Sequence, residues 1–211
     1  MCYPNMPMNS ITPHVLQNLL PYRGEAYYDP SFLTKEESNR FFLALKSNIH
    51  WNQEEIWMFG RRVMQPRLTA LYGDPSIPYG YSGITMQSLP FTELLAQLKK
   101  RLDTLAQTTF THVLLNYYRN GADSMGWHRD NEKVLGSTPI IASVSLGAER
   151  RFQFRYYENK SIKIDLMLAS GSLLLMKGES QRYWEHQLPK AKRVSLPRIN
   201  LTFRVIQSTK A

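Results

Sequence analysis

The sequence predicts an α+β domain in which a few helices support a β-sandwich or jelly-roll barrel. Three observations carry that prediction. Two helical periodicities lie in the first half of the chain, and a run of short strand-like segments fills the second half. The 211 residues, 43% of them hydrophobic, are enough for one sizeable core.

Residues 1 to about 30 are rich in Pro, Asn, Tyr and Met without periodicity, and read as an irregular surface extension. Thr34-Lys35-Glu36-Glu37 then forms a capping box, and Phe41, Phe42 and Leu45 follow at helical spacing, so a helix is expected over about 34–48. The stretch 51–83 mixes aromatic and basic residues with Gly60, Pro66, Gly73, Pro75, Pro78, Gly80 and Gly83. Those breakers make it hairpins and turns. A second helix, about 90–107, shows Leu94, Leu95, Leu98, Leu102 and Leu105 on one face and Lys99-Lys100-Arg101 towards water.

From there the period shortens. Strands are expected at 111–119, 140–146, 150–157, 161–168, 172–176, 183–187 and 198–206, with turns marked by Gly121, Gly136, Gly147 and Gly171. No repeat or low-complexity segment interrupts, so residues 31–211 read as a single domain.

Lys and Arg number 26 against 17 Asp and Glu, a net charge of +9. That balance favours an anionic partner, nucleic acid or an anionic membrane surface, with plain solubility as the alternative. Cys2, the single cysteine, rules out a disulfide or a thiolate cluster within one chain. A reducing compartment is therefore expected: the cytoplasm, or the nucleus of a eukaryote. The N-terminus lacks a secretory pattern, and no apolar run reaches the roughly 18–20 residues of a membrane helix. A soluble monomer with no membrane partner is the expectation.

His128-Arg129-Asp130 follows a Gly-rich loop after a predicted strand. A His and an Asp two apart in extended chain point the same way and can reach one ion. A distant His, of which His186 is the natural choice, completes a 2-His-1-carboxylate triad that leaves positions open for co-substrate and oxygen at iron(II). A structural role for these residues is the alternative, so a second signal is needed.

The last strand supplies it. Arg198, Asn200, Thr202 and Arg204 fall on one face, and Ile199, Leu201, Phe203 and Val205 on the other. Two guanidiniums with an amide and a hydroxyl between them suit a small dianion, such as the 2-oxo acid that many such iron sites require. A solvent-facing edge strand would show the same alternation. On 112–118, His112, Leu114, Asn116 and Tyr118 share a face, and Asn116 and Tyr118 could bond the same ligand.

Taken together, Asn116-Tyr117-Tyr118, Gly121, His128-Arg129-Asp130, Ala142-Ser143-Val144-Ser145-Leu146-Gly147, His186 and Pro197-Arg198-Ile199-Asn200-Leu201-Thr202-Phe203-Arg204 resemble the AlkB family of iron(II)- and 2-oxoglutarate-dependent dioxygenases. The likeness spans about residues 50–206. Phe59-Gly60, Pro66-Arg67, Tyr72-Gly73-Asp74 and Tyr79-Gly80-Tyr81-Ser82-Gly83 resemble the branch acting on duplex DNA. The resemblance implies a double-stranded β-helix core over about 110–206, preceded by a nucleotide-recognition lid within about 51–89. It implies iron(II), 2-oxoglutarate and O2 as the reactants at the site. His128, Asp130 and His186 would hold iron. Arg198, helped by Tyr118, would meet the distal carboxylate of 2-oxoglutarate, and Asn116, Asn200, Thr202 and Arg204 would line the rest of that site.

The same likeness implies oxidative demethylation of alkylated DNA, duplex and single-stranded, with RNA as the alternative substrate and a non-catalytic lesion-binding module as the more distant one. Tyr79 and Tyr81 would contact a flipped base, and Glu132 its exocyclic amino group. Phe59 would fill the gap left in the stack. Asn131 stands where the branch commonly has an acid, and Trp127 is a bulky residue beside the metal ligand. Arg61-Arg62, Lys99-Lys100-Arg101, Arg150-Arg151 and Lys190/Lys192/Arg193 are candidate phosphate contacts.

Overall fold

The structure is a computed structural model that describes residues 17–207 without Phe59, Pro78, Ser82 and Gly83, and gives only the backbone of 56–58, 79–81 and 84–86. In chain order the elements are β1 (Glu25–Asp29), α1 (Lys35–Asn48), β2 (Glu55–Met58), β3 (Arg61–Met64), β4 (Leu68–Gly73), β5 (Tyr79–Tyr81) and β6 (Ile84–Met86). They continue with α2 (Glu93–Ala106), β7 (His112–Tyr118), β8 (Met125–His128), β9 (Ile141–Gly147), β10 (Arg150–Tyr156) and β11 (Lys163–Leu168). The last are β12 (Leu173–Lys177), α3 (Ser180–Tyr183), β13 (Trp184–Leu188) and β14 (Arg198–Arg204).

Two antiparallel sheets face each other, a six-stranded one in the order β1-β12-β9-β14-β7-β4 and a four-stranded one in the order β11-β10-β13-β8. This is the jelly-roll arrangement expected. The strand period sorts the side chains of the large sheet into two layers. Val113 and Leu115 of β7, Val144 and Leu146 of β9, and Ile199, Leu201 and Phe203 of β14 meet Phe41 and Leu45 of α1 and Leu95, Leu98 and Leu102 of α2. Between the two sheets, Met176, Phe152, Phe154, Trp184 and Leu188 form a second apolar cluster.

Both long helices begin as the sequence requires. The Thr34 hydroxyl accepts from the Glu37 N–H at 3.1 Å while the Glu37 carboxylate accepts from the Thr34 N–H at 3.0 Å. Thr92 caps α2 in the same sense, and the helix closes on Gln107 in the left-handed region at φ 51°. Leu105 departs from the expected apolar face and is 47% exposed.

Two segments differ from the sequence reading. Residues 25–29 are not irregular: they form β1, paired along its whole length with β12. The stretch 51–83 is not only hairpins, because β4 joins the edge of the large sheet beside β7. The two hairpins, β2–β3 and β5–β6, flank β4 and lie outside both main sheets. Asn52 exchanges backbone bonds with Thr69, and Leu89 bridges to Leu71 and Gly73, so each hairpin is anchored to that edge.

The exposure difference along α2 yields a direct expectation. Leu98→Ala should cost about 2–5 kcal/mol in denaturant unfolding, as a filled core site becomes a cavity. Leu105→Ala should stay within about 0.5 kcal/mol. Equal losses would contradict the packing described.

Candidate active site

Strands β8 and β13 lie side by side with His128 opposite His186, their ring centroids 4.2 Å apart. Asp130 follows β8 by two residues, and one donor atom from each of the three side chains falls within 4.8 Å of the others. The surroundings fix each group. His128 Nδ1 is 2.8 Å from the Gly126 carbonyl, so it carries the proton and leaves Nε2 as a lone pair 3.7 Å from Asp130 Oδ1. Phe152 stacks on His186 at 5.4 Å and 25°. Asp130 Oδ2 accepts from Arg204 Nη2 at 2.6 Å and from Nε at 3.3 Å, and the Asp130 N–H donates to Gln181 Oε1 at 2.9 Å.

Two polar atoms here, Asp130 Oδ1 and His186 Nδ1, are buried with no hydrogen-bond partner. Such atoms are costly unless something binds them. The protonation states match that need. Burial opposes the charge on Asp130, but the positive groups around it, Arg204 first, hold its carboxyl well below the usual range. Burial pushes His128 below its ordinary value and His186 down to about 3, the latter with help from the adjacent His128. An ionised carboxylate beside two neutral imidazoles is the donor set a divalent cation requires.

This cluster opens into a narrow pocket between the two sheets, with about 50 Å³ of free volume, and all six residues expected at the co-substrate, Asn116, Tyr118, Arg198, Asn200, Thr202 and Arg204, line it. Their bonding separates them into two groups. Asn200 is a brace: its amide donates to Ser143 Oγ at 2.8 Å and the Val144 carbonyl at 3.1 Å, and its oxygen accepts from Thr202 at 3.0 Å. Arg204 is committed to Asp130. Arg198 is 2% exposed and donates to Ser145 Oγ at 2.9 Å, with its guanidinium 5.3 Å from the Tyr118 ring centroid. Burial lowers its pKa to about 10, which leaves it a cation at neutral pH.

Of the expected base-contacting residues, Asn131 and Glu132 have described side chains. Asn131 is exposed and lines a separate depression with Arg129 and Arg182. Glu132 is half-buried with Oε2 unpartnered, and burial, then the Asp130 charge, raises its pKa. Phe59 lies outside the described residues, and Tyr79 and Tyr81 are described in backbone only, on β5. Trp127 does not obstruct the metal cluster: it points to the opposite face of β8 from His128, under the guanidinium of Arg155 at 4.2 Å.

Several residues at the site escape sequence reasoning. Arg67, 3% exposed, lines the pocket and donates from Nε to Asn116 Oδ1 at 2.7 Å. Its segment was legible but its inward direction was not, because an arginine beside a proline reads as surface. Gln181, 1% exposed, sits in a helix too short to carry a periodicity.

The basic clusters also divide. Arg150 is 1% exposed and bonds backbone carbonyls, so it is no phosphate contact. Arg101 pairs with Glu37, Lys99 with Asp103, Arg62 with Glu55 and Arg151 with Asp165. Lys190, Lys192 and Arg193 are exposed, and among the described residues no acidic side chain pairs with them.

Comparison with known proteins accords with this geometry. Residues 25–204 match the family model of the 2OG-Fe(II) oxygenase superfamily. The chain is 37% identical over 186 residues to mouse DNA oxidative demethylase ALKBH2, covering 83% of this chain and 78% of that protein. It is 38% identical over 190 residues to mouse alpha-ketoglutarate-dependent dioxygenase alkB homolog 3, covering 84% of this chain and 64% of that one. The solved structure of OsALKBH1 shares the fold, with a TM-score of 0.58 at 20% identity over 85% of this chain and 97% of that chain.

The pKa directions make stability depend on pH. A histidine whose folded pKa lies below its free value of 6.5 takes up its proton only after unfolding, so stability falls as pH drops below about 6.5 towards 3 for His186. Asp130, also depressed, contributes stability that is lost lower still, below its free value of 3.8. The melting temperature of the metal-free protein should decline steadily from pH 6.5 to 4, and His186→Asn should flatten that slope. A wild-type melting temperature constant over this window would exclude the neutral buried imidazole.

Proposed function

The chain belongs to the 2OG-Fe(II) oxygenase superfamily and within it to the AlkB family of dioxygenases, and on that premise we propose that it repairs DNA by oxidative demethylation of N-alkylated bases. The observation that carries the reading is the convergence, in one pocket, of the triad with its unpartnered buried atoms and of the Arg198 guanidinium. The enzyme uses iron(II), O2 and 2-oxoglutarate. When bound, iron supplies the oxidising chemistry that hydroxylates an N-alkyl carbon, while 2-oxoglutarate becomes succinate and CO2 and the hydroxymethyl product releases formaldehyde.

The residues of this chain hold and orient. His128, Asp130 and His186 would bind the metal, with Arg204 fixing the Asp130 carboxylate and Gln181 fixing the Asp130 backbone N–H, so that the ligand does not swing when the metal leaves or returns. Arg198 and Tyr118 would hold the distal carboxylate of 2-oxoglutarate, with Asn116 and Thr202 alongside and Asn200 keeping that face rigid. A stacked base cannot reach this interior pocket, so the base must leave the duplex. Tyr79, Tyr81 and Glu132 would receive it, and Phe59 would occupy the vacated stack. The β2–β3 and β5–β6 hairpins would form the recognition lid of a single domain, about 51–89 within residues 31–211.

Duplex DNA is favoured over RNA because a wedge at Phe59 has a use only in a stack. The exposed loop with Lys190, Lys192 and Arg193 would meet phosphates. Its backbone is clamped to Gly121 through bonds of 2.7 and 2.8 Å, and a Cβ at Gly121 would lie 1.8 Å from the Ala191 carbonyl oxygen, so the two loops pack backbone to backbone. A rigid basic loop loses little entropy on binding.

Two experiments test the reading. Formaldehyde release from single- and double-stranded oligonucleotides carrying 1-methyladenine or 3-methylcytosine, in DNA and RNA, should require iron(II) and 2-oxoglutarate. It should vanish in His128→Ala, and Arg204→Gln should weaken metal binding about 10- to 100-fold. Turnover that survives His128→Ala would sink the metal assignment, and turnover on RNA alone would overturn the DNA reading. Separately, Lys192→Ala with Arg193→Ala should lower the slope of log affinity against log salt on duplex DNA by about 0.9 per lost phosphate contact. An unchanged slope would remove the loop from the interface.

A further inference from the structure

Arg150 begins β10 beside Arg151, and the strand period sends the two in opposite directions. Arg151 turns outward to Asp165 at 3.6 Å, while Arg150 is 1% exposed. Both terminal nitrogens of its guanidinium are occupied, while among the described residues the buried Nε has no partner. Its Nη1 donates to the Asn120 carbonyl at 3.2 Å, and its Nη2 donates to the Asp123 and Pro189 carbonyls at 2.9 and 2.8 Å. It therefore ties the turn after β7 to the chain leaving β13.

The same group approaches Tyr118, a residue of the pocket lining. The guanidinium carbon of Arg150 is 5.9 Å from the Tyr118 ring centroid, and that of Arg198 is 5.3 Å from the same centroid. Among the described residues, neither arginine forms an ion pair with a carboxylate. Two buried cations that share one tyrosine repel each other, and an incoming carboxylate would relieve both.

Resting on the reading of this pocket as the 2-oxoglutarate site, we propose that Arg150 is a positioning residue for its carboxylate end. It holds Tyr118, and hence Arg198, in place and supplies a second positive charge near them. Its consequence is selectivity: Arg150 favours 2-oxo acids with a distal carboxylate over those without one. A role confined to tying loops would affect both kinds of acid alike.

The test is binding rather than turnover. The full chain, loaded with iron(II) under nitrogen, is titrated calorimetrically with 2-oxoglutarate and with 2-oxobutyrate, which lacks the distal carboxylate. Arg150→Gln should weaken 2-oxoglutarate about tenfold and leave 2-oxobutyrate within about twofold, and Arg150→Lys should fall between it and wild type. Equal loss for both acids, or no loss for 2-oxoglutarate, overturns the proposal. If Arg150→Gln does not fold, Arg150→Lys decides: its preference for 2-oxoglutarate should drop about threefold, and an unchanged preference overturns the proposal. Arg198→Gln is the reference. If wild type binds no 2-oxoglutarate, or Arg198→Gln binds it as well as wild type, the reading of the pocket fails. If Arg198→Gln weakens binding and Arg150→Gln does not, only the assignment of Arg150 fails.

Discussion

The ion pair between Arg204 and Asp130 is the interaction on which the rest of the site depends. Both side chains are nearly inaccessible, 6% and 2% exposed, and Arg204 comes from the six-stranded sheet while Asp130 comes from the chain leaving β8 of the other. Burying either charge alone would cost several kcal/mol, whereas together they satisfy each other. The pair therefore sets the spacing between the central strand β14 and the chain leaving β8. With that spacing fixed, Asp130 Oδ1 turns towards the two imidazoles, and the His128–His186 register across β8 and β13 completes the cluster. The same bond keeps the carboxylate ionised, so the metal site and the joint between the sheets are one structure.

Around this joint the polar face of the large sheet is wired in advance. Asn200 braces Ser143 and Thr202, Ser145 receives Arg198, and Arg67 fixes Asn116 from the β4 edge. Each bond removes a rotamer that a ligand would otherwise have to freeze, so the pocket can bind a small anion with less loss of entropy. Buried polar groups of this kind are tolerated because nearly all are partnered. Of the buried atoms without a partner among the described residues, Asp130 Oδ1 and His186 Nδ1 fall at the metal cluster, and Glu132 Oε2 and Arg198 Nε lie on residues of the same region.

Much of this was legible in the sequence because it follows from periods. The alternation along residues 198–204 is the alternation of the folded β14, and the Thr34–Glu37 capping box is the cap of α1. The choice of His186 among five histidines rested on its place in a predicted strand, and β13 does carry it to the cluster. What stayed hidden depends on direction in space. Residues 25–29 have no strong alternation of their own, and become a strand only because β12 offers an unpaired edge. Arg67, Gln181 and Arg150 look like surface polar residues, and nothing local says that their partners are buried carbonyls and amides. Asn131 misleads in the opposite way: it adjoins a metal ligand in sequence, yet the chain turns it out to solvent.

The distribution of charge follows the same logic. A net charge of +9 suggests a broadly cationic surface, yet the structure assigns many of those cations elsewhere. Arg150, Arg198 and Arg204 are interior, and Arg62, Lys99, Arg101, Arg119 and Arg155 each have an acidic partner. Lys35, Arg40, Lys46, Arg61, Lys100, Lys133, Lys160 and Lys163 are exposed singly or in other segments, whereas Lys190, Lys192 and Arg193 place three cations within four residues of one loop. That loop leaves β13 two residues after Leu188 and is pinned to Gly121, and through Pro189 it accepts from Arg150, which approaches Tyr118 of the pocket lining. Three cations on one rigid loop raise the local positive potential above that of singly placed charges, which favours a polyanion at that loop.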